Sequence, residues 1–80
     1  MNFGNALEVL KNGGKVARFG WNGEGIFLKL QRTDEHSKMT GDYIYIDTTG
    51  LETDNKKAPK VVVPWVPSAS DLLSEDWYVY

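Results

Sequence analysis

The sequence predicts an α+β fold in which an N-terminal helix packs on a small antiparallel β-sheet, with a short second helix before the last strand. Three observations carry this. Phe3, Ala6, Leu7 and Leu10 recur at the spacing of one helix face. Ile26–Gln31 and Tyr43–Asp47 alternate in the period-two pattern of strands. Ser68 and Asp71 stand three residues apart, the spacing of a capping box. A single helix followed mainly by strands fits a helix laid over one face of an antiparallel sheet.

Asn2 is a suitable cap for the first helix, and Asn12-Gly13-Gly14 stops it because glycine takes left-handed geometry without a steric penalty; the helix is expected over Phe3–Lys11. Lys15–Arg18 reads as a short strand leading into Phe19-Gly20-Trp21-Asn22-Gly23-Glu24-Gly25, a glycine-rich turn with exposed N–H groups. In the next strand Ile26, Leu28 and Leu30 share one face and Phe27, Lys29 and Gln31 the other. Tyr43–Asp47 sets two tyrosines opposite two isoleucines, and polar loops are expected over 32–42 and 48–58. Lys60–Val63 is β-branched and should be a strand ended by Pro64, which lacks a ladder donor. A short helix should begin at Ala69 behind Pro67 and Ser68, turning Leu72 and Leu73 inward, and Trp77–Tyr80 closes the chain as a strand.

A chain of 80 residues is one domain, spanning 1–80, and buries only roughly 60% of its unfolded surface, so self-association is expected. With no cysteine and one histidine, His36, neither disulfides nor a His- or thiolate-based metal site can staple it. The net charge of −2 and the lack of a basic run argue against a nucleic-acid polymer as partner. Apolar runs such as Val61–Val63 fall far short of the roughly 20 residues that span a bilayer. Asn2, Gly4 and Asn5 interrupt any signal-peptide pattern, so the cytoplasm is the expected compartment and no membrane partner is expected.

Catalysis is poorly supplied, since the sole histidine is far in sequence from Ser68 and Ser70 and no nucleophile–base pair is evident. Asp71, Glu75 and Asp76 fit ordinary complements of a helix dipole. Small-molecule binding is better supplied. Trp21, Phe27, Tyr43, Tyr45 and Trp65 are surfaces on which a nucleobase can stack, although each taken singly fits a core or interface role better. Trp21-Asn22-Gly23 joins an aromatic plate to an amide and a bare backbone. Arg18, Lys29 and the amide end of the Ser68 helix offer positive potential to a phosphate.

Three separated motifs give the chain a family likeness over nearly its whole length. They are Phe3-Gly4-x-Ala6-Leu7, then Lys15-Val16-Ala17-Arg18-x-Gly20-Trp21-Asn22-Gly23-x-Gly25 with Phe27-Leu28, and Trp65-x-x-Ser68-x-x-Asp71-x-Leu73-x-x-Asp76-Trp77. In these the chain resembles the small phage-encoded Thoeris anti-defence two family. The resemblance implies a non-enzymatic sponge that takes up cyclic ADP-ribose-type signals, such as glycocyclic ADP-ribose, made by the bacterial Thoeris immune system. It also implies no cofactor, a homotetramer with ligand pockets between subunits, and an association of some members with cyclic dinucleotides. Carried across, Trp21, Asn22 and Gly23 belong to the pocket, with Trp65, Ser68 and Asp71.

The resulting expectation is that Trp21 and Trp65 stack an adenine, Asn22 and Asp71 bond base or ribose, Arg18 and Ser68 lie near phosphate, and Phe27 adds a further aromatic surface. Two readings of other classes stand beside it: a nucleotide hydrolase using Asp71 and Asp76 with a divalent metal, and an interaction module burying Trp21, Tyr43 and Tyr45 against a protein.

Overall fold

The computed structural model describes residues 1–21 and 24–80. Helix α1 (Phe3–Lys11) starts where expected: the Asn2 side chain accepts from the Asn5 N–H at 2.9 Å. It ends on a Schellman motif, in which the Gly14 N–H donates to the Val9 carbonyl at 2.9 Å and the Gly13 N–H to the Leu10 carbonyl at 3.0 Å. Gly13 sits at φ 89°, a conformation that side chains disfavour.

Five strands follow: β1 (Val16–Arg18), β2 (Phe27–Gln31), β3 (Tyr43–Asp47), β4 (Val62–Pro64) and β5 (Trp77–Val79), with helix α2 (Ala69–Leu73) between the last two. They form one antiparallel sheet in the order β4-β3-β2-β1-β5. The register places Leu28 beside Ile46 and Val63 on one side and Val16 on the other. These residues share the face that α1 covers, and Ala6, Leu10, Val16, Leu28 and Trp77 form its buried centre. The α+β architecture and the helix over one sheet face are as the sequence predicts.

Two local expectations are corrected. The strand expected over Lys60–Val63 starts only at Val62, and it takes in Pro64, opposite Tyr45, as its last residue. The Trp65 N–H donates to the Ile44 carbonyl at 2.8 Å, which makes the neighbouring Tyr45–Pro64 pair a non-hydrogen-bonded one; the missing N–H of Pro64 points off the edge of the sheet and costs no ladder bond. Leu72 and Leu73 do not turn inward, and Leu73 is 82% exposed. The residue of α2 that faces the sheet is Asp71, drawn there by the hydrogen bonds described below.

The 48–58 loop is latched to the turn before β2. The Glu52 N–H donates to the Glu24 carbonyl at 2.8 Å, and Gly25, at φ 85°, passes so close to Gly50 that a Cβ there would lie 1.9 Å from the Gly50 carbonyl oxygen. Arg32 ties the 32–42 loop to its own end through Asp42 at 2.9 Å and to α1 through the Lys11 carbonyl at 3.0 Å. No helix among the described residues is long and apolar enough to cross a membrane.

Candidate functional site

The site is built around Trp77. Its indole, 1% exposed, packs under α1, and two other tryptophans stand edge-on to it: Trp21 at 5.4 Å and 81°, Trp65 at 5.9 Å and 87° between ring centroids and planes. Phe3 of α1 completes the cluster at 5.3 Å from Trp77 and 5.6 Å from Trp65. Edge-to-face contact suits the ring quadrupoles and leaves the outer surfaces of Trp21 and Trp65 partly open.

Trp21 and Trp65 both line an open cavity of about 450 Å³, together with Ile26, Ile46, Val63, Pro64, Val66 and Asp71. The strand register explains why residues so far apart meet. Trp65 extends β4 past Pro64 beside Ile44, Ile46 is inward on β3, and Trp21 reaches across from the turn after β1. A second hollow of about 610 Å³ borders the other side of the Trp21 turn, with Arg18, Phe19, Glu24, Glu52, Tyr78 and Tyr80 among its walls.

Asp71 is the polar centre. Its Oδ1 accepts from Arg18 Nη1 at 2.7 Å and from the Trp21 indole Nε1–H at 3.2 Å, and its Oδ2 accepts from the Ser68 N–H at 3.0 Å. Ser68 Oγ in turn accepts from the Asp71 N–H at 3.1 Å, which closes the capping box that the spacing predicts. The Asp71 carbonyl accepts the Trp77 Nε1–H at 2.9 Å. Burial works to raise the Asp71 pKa, but the Ser68 N–H, the Arg18 guanidinium and the Trp21 indole outweigh it, and the carboxyl titrates below its ordinary value. A carboxylate has about four acceptor positions, and donors among the described residues fill three of them, two on Oδ1 and one on Oδ2.

Arg18 bridges two acids. Its Nε donates to Asp76 Oδ1 at 2.8 Å while Nη1 serves Asp71, and both the Arg18 and the Asp71 side chains are only 14% exposed. Hydrogen bonds to Asp76 and Asp71 raise the Arg18 pKa, and the Arg18 hydrogen bond leads the lowering at Asp76. Asp76 Oδ2 also accepts the Gly20 N–H at 2.8 Å.

Of the sequence-predicted site residues, the structure gathers Arg18, Trp21, Trp65, Ser68 and Asp71 around one cavity and its supporting bonds. Phe27 lies apart from them, on the sheet face away from α1, with Tyr80 at 5.0 Å and Lys15 Nζ 4.5 Å from its ring centroid. Asn22 and Gly23 lie outside the described residues. Missed from the sequence were the apolar lining residues Ile26, Ile46, Val63 and Val66, the role of Trp77 as the common support, and Asp76 as the second partner of Arg18. Alternation marked Ile46 as inward, but no local signal links an acid beside β5 to an arginine 58 residues earlier.

A model of the Thoeris anti-defense 2-like domain matches residues 1–80. The chain belongs to that family. It is also 43% identical over 81 residues to Thoeris anti-defense 2 of Bacillus phage SP01, an alignment that covers 96% of this chain and 91% of that protein. The matched span therefore takes in every element that builds the cavity, from α1 over Trp77 to the capped α2.

Proposed function

We propose that the chain counters Thoeris defence as a sponge, binding a cyclic ADP-ribose-type nucleotide such as glycocyclic ADP-ribose and withholding it uncleaved. Membership in the Thoeris anti-defense 2-like family supports the anti-Thoeris role. The observation that carries the binding reading is the cavity of about 450 Å³ that has two tryptophans and an aspartate among its walls. Its size and walls suit an adenine with its ribose: Trp21 and Trp65 stack or clamp the base, and the Asp71 carboxylate, whose Oδ2 has a single donor among the described residues, takes a ribose hydroxyl or the exocyclic amine.

The described lining holds no lysine or arginine, and Arg18 is committed to two carboxylates. Ser68 Oγ is likewise occupied by its cap. The pyrophosphate therefore lies toward the mouth of the cavity, where Val66, 86% exposed, leaves apolar surface for a second copy. A homotetramer acting in the host cytoplasm supplies those missing walls, and the Asn22-Gly23 segment next to Trp21 belongs to the same pocket.

The hydrolase reading is weaker because the Arg18 guanidinium already spans Asp71 and Asp76, the two carboxylates a divalent metal would need. His36 pairs with Glu35 at 3.4 Å in the 32–42 loop, apart from Ser68. A thermal-shift screen against cyclic ADP-ribose isomers and cyclic dinucleotides tests the proposal. A ligand at 100 times its Kd adds about 2.7 kcal/mol of stability. A glycocyclic ADP-ribose isomer is expected to give the largest shift, and no shift with any of these nucleotides rejects the sponge.

A further inference from the structure

Trp21 is a lining residue of two hollows, one of about 450 Å³ and one of about 610 Å³, and its side chain is only half-buried. Its edge-on contact with Trp77 limits the ring's movement without fixing its tilt. What fixes it is the indole Nε1–H bond to Asp71 Oδ1 at 3.2 Å. That bond depends on the orientation of the Asp71 carboxylate, which the Ser68 N–H fixes at Oδ2 at 3.0 Å and Arg18 Nη1 fixes at the same Oδ1 at 2.7 Å. Arg18 is aimed in turn by Asp76, whose Oδ1 and Oδ2 accept from Nε at 2.8 Å and Nη2 at 3.4 Å.

Asp76 also grips the backbone that carries Trp21. The chain turns after β1, with the Trp21 N–H donating to the Arg18 carbonyl at 3.3 Å. Inside that turn the Gly20 N–H donates to Asp76 Oδ2 at 2.8 Å and the Phe19 N–H to the Asp76 carbonyl at 3.2 Å. A Cβ at Gly20 would sit 2.8 Å from Asp76 Oδ2, so a larger residue there must push that carboxylate aside. Asp76 lines neither hollow.

We propose that Asp76, acting through Arg18 and the Gly20 turn, is the positioning residue that holds the Trp21 indole as a wall of the ligand cavity. The importance of that wall for binding rests on the sponge reading; the positioning itself does not. A residue that never meets the ligand thereby sets its affinity. The relay also gives a reason for a charged triad at this place in so small a chain: one arginine couples β1, α2 and the start of β5 to a single aromatic ring.

The test is the indole N–H region of a 15N-correlation spectrum of the full chain, with the three tryptophan signals assigned through Trp21→Phe and Trp65→Phe. In the unmodified chain the Trp21 indole N–H is expected to be protected from solvent exchange. In Asp76→Asn its signal moves and its exchange speeds up by about tenfold or more, the scale of a lost hydrogen bond to a charged group. The Trp77 indole signal stays, because its partner is the Asp71 backbone carbonyl. Asp76→Glu, which restores the charge, brings the Trp21 signal back toward its original place. Affinity for glycocyclic ADP-ribose falls about tenfold or more in Asp76→Asn.

An unprotected Trp21 indole in the unmodified chain overturns the proposal. So does a Trp21 signal unmoved by Asp76→Asn, or a Trp77 signal that moves as much. Affinity within about twofold of the unmodified chain beside a displaced Trp21 signal overturns it too. If Asp76→Asn does not fold, Gly20→Ala, which pushes on the same Asp76 oxygen, carries the same expectations. If the unmodified chain takes up no glycocyclic ADP-ribose while the Trp21 signal still answers to Asp76, the positioning stands and the sponge reading falls.

Discussion

Asp71 holds two tryptophans at once: its carboxylate accepts the Trp21 indole N–H at 3.2 Å and its backbone carbonyl accepts the Trp77 indole N–H at 2.9 Å. The same side chain caps α2 and neutralises Arg18, so four separate hydrogen-bonding tasks converge on one residue of a five-residue helix. Asp71→Ala removes the reciprocal cap and strands a largely buried guanidinium and an indole N–H, and should cost about 2–4 kcal/mol of stability. Asp71→Asn keeps the shape and should cost less, because the amide oxygen still accepts from one donor. Urea unfolding of the two variants checks the order.

Trp21 and Trp65 differ from Trp77 in what they are expected to do. Alanine at either of the first two should weaken nucleotide binding by about 1–3 kcal/mol, the worth of one stacking surface. Trp77→Ala should instead lower stability by about 3–5 kcal/mol, as it empties the centre of the core. Phe27→Ala, on the other sheet face, should leave affinity unchanged. Titration calorimetry beside thermal melts separates the three behaviours.

Gly13 and Gly25 both have positive φ, yet alanine should affect them unequally. At Gly13 no atom lies within 4 Å of an added Cβ, so Gly13→Ala carries only the left-handed penalty of about 1–2 kcal/mol. At Gly25 the same methyl would meet the Gly50 carbonyl oxygen at 1.9 Å, so Gly25→Ala must also part the 48–58 loop from the turn before β2. The loss of stability at Gly25 is expected to exceed that at Gly13, read as the difference in urea midpoint.

Asp71 and Asp76 titrate below the ordinary 3.8 in the folded chain, Asp71 against the pull of its own burial and Asp76 chiefly through Arg18. On acidification the unfolded chain therefore takes up protons first, so stability is full above about pH 5 and declines as pH falls through the folded carboxyls. Asp42 and Asp47 are lowered as well and add to the same slope. The contribution of the clasp is isolated by comparing the unmodified chain with Asp76→Asn, whose urea midpoint should fall less steeply between pH 5 and about pH 3.

Helix α1 was fully legible because three local signals agree on it: the apolar period, the Asn2 cap and the Gly13 stop. The capping box of α2 was legible for the same reason, as spacing alone specifies it. The inward residue of α2 was not. Hydrophobicity favoured Leu72 and Leu73, but a helix of five residues turns by its strongest anchor, and the Arg18, Trp21 and Trp77 bonds to Asp71 outweigh the burial of a leucine. Pro64 does end β4, as its residue type suggests, and on that edge strand its missing N–H has no partner to lose.

The candidate site divides along the same line. Trp21, Trp65 and Asp71 could be named from residue type and family likeness, while their meeting on Trp77 depends on a sheet order in which β5 pairs with β1. Arg18 was read as a cation for phosphate, whereas long-range pairing with Asp76 and Asp71 makes it a strut. No local pattern encodes a partner 53 or 58 residues away.

Isothermal titration of the full chain with glycocyclic ADP-ribose, followed by denaturation and chromatography of the released nucleotide, bears most directly on the central claim. Saturable heat with a Kd below the micromolar range, and recovery of the nucleotide chemically unchanged, are the predicted results. Absence of heat at micromolar concentrations, or conversion of more than one nucleotide per site, would contradict an account in which two indoles and a carboxylate hold the ligand and leave it whole.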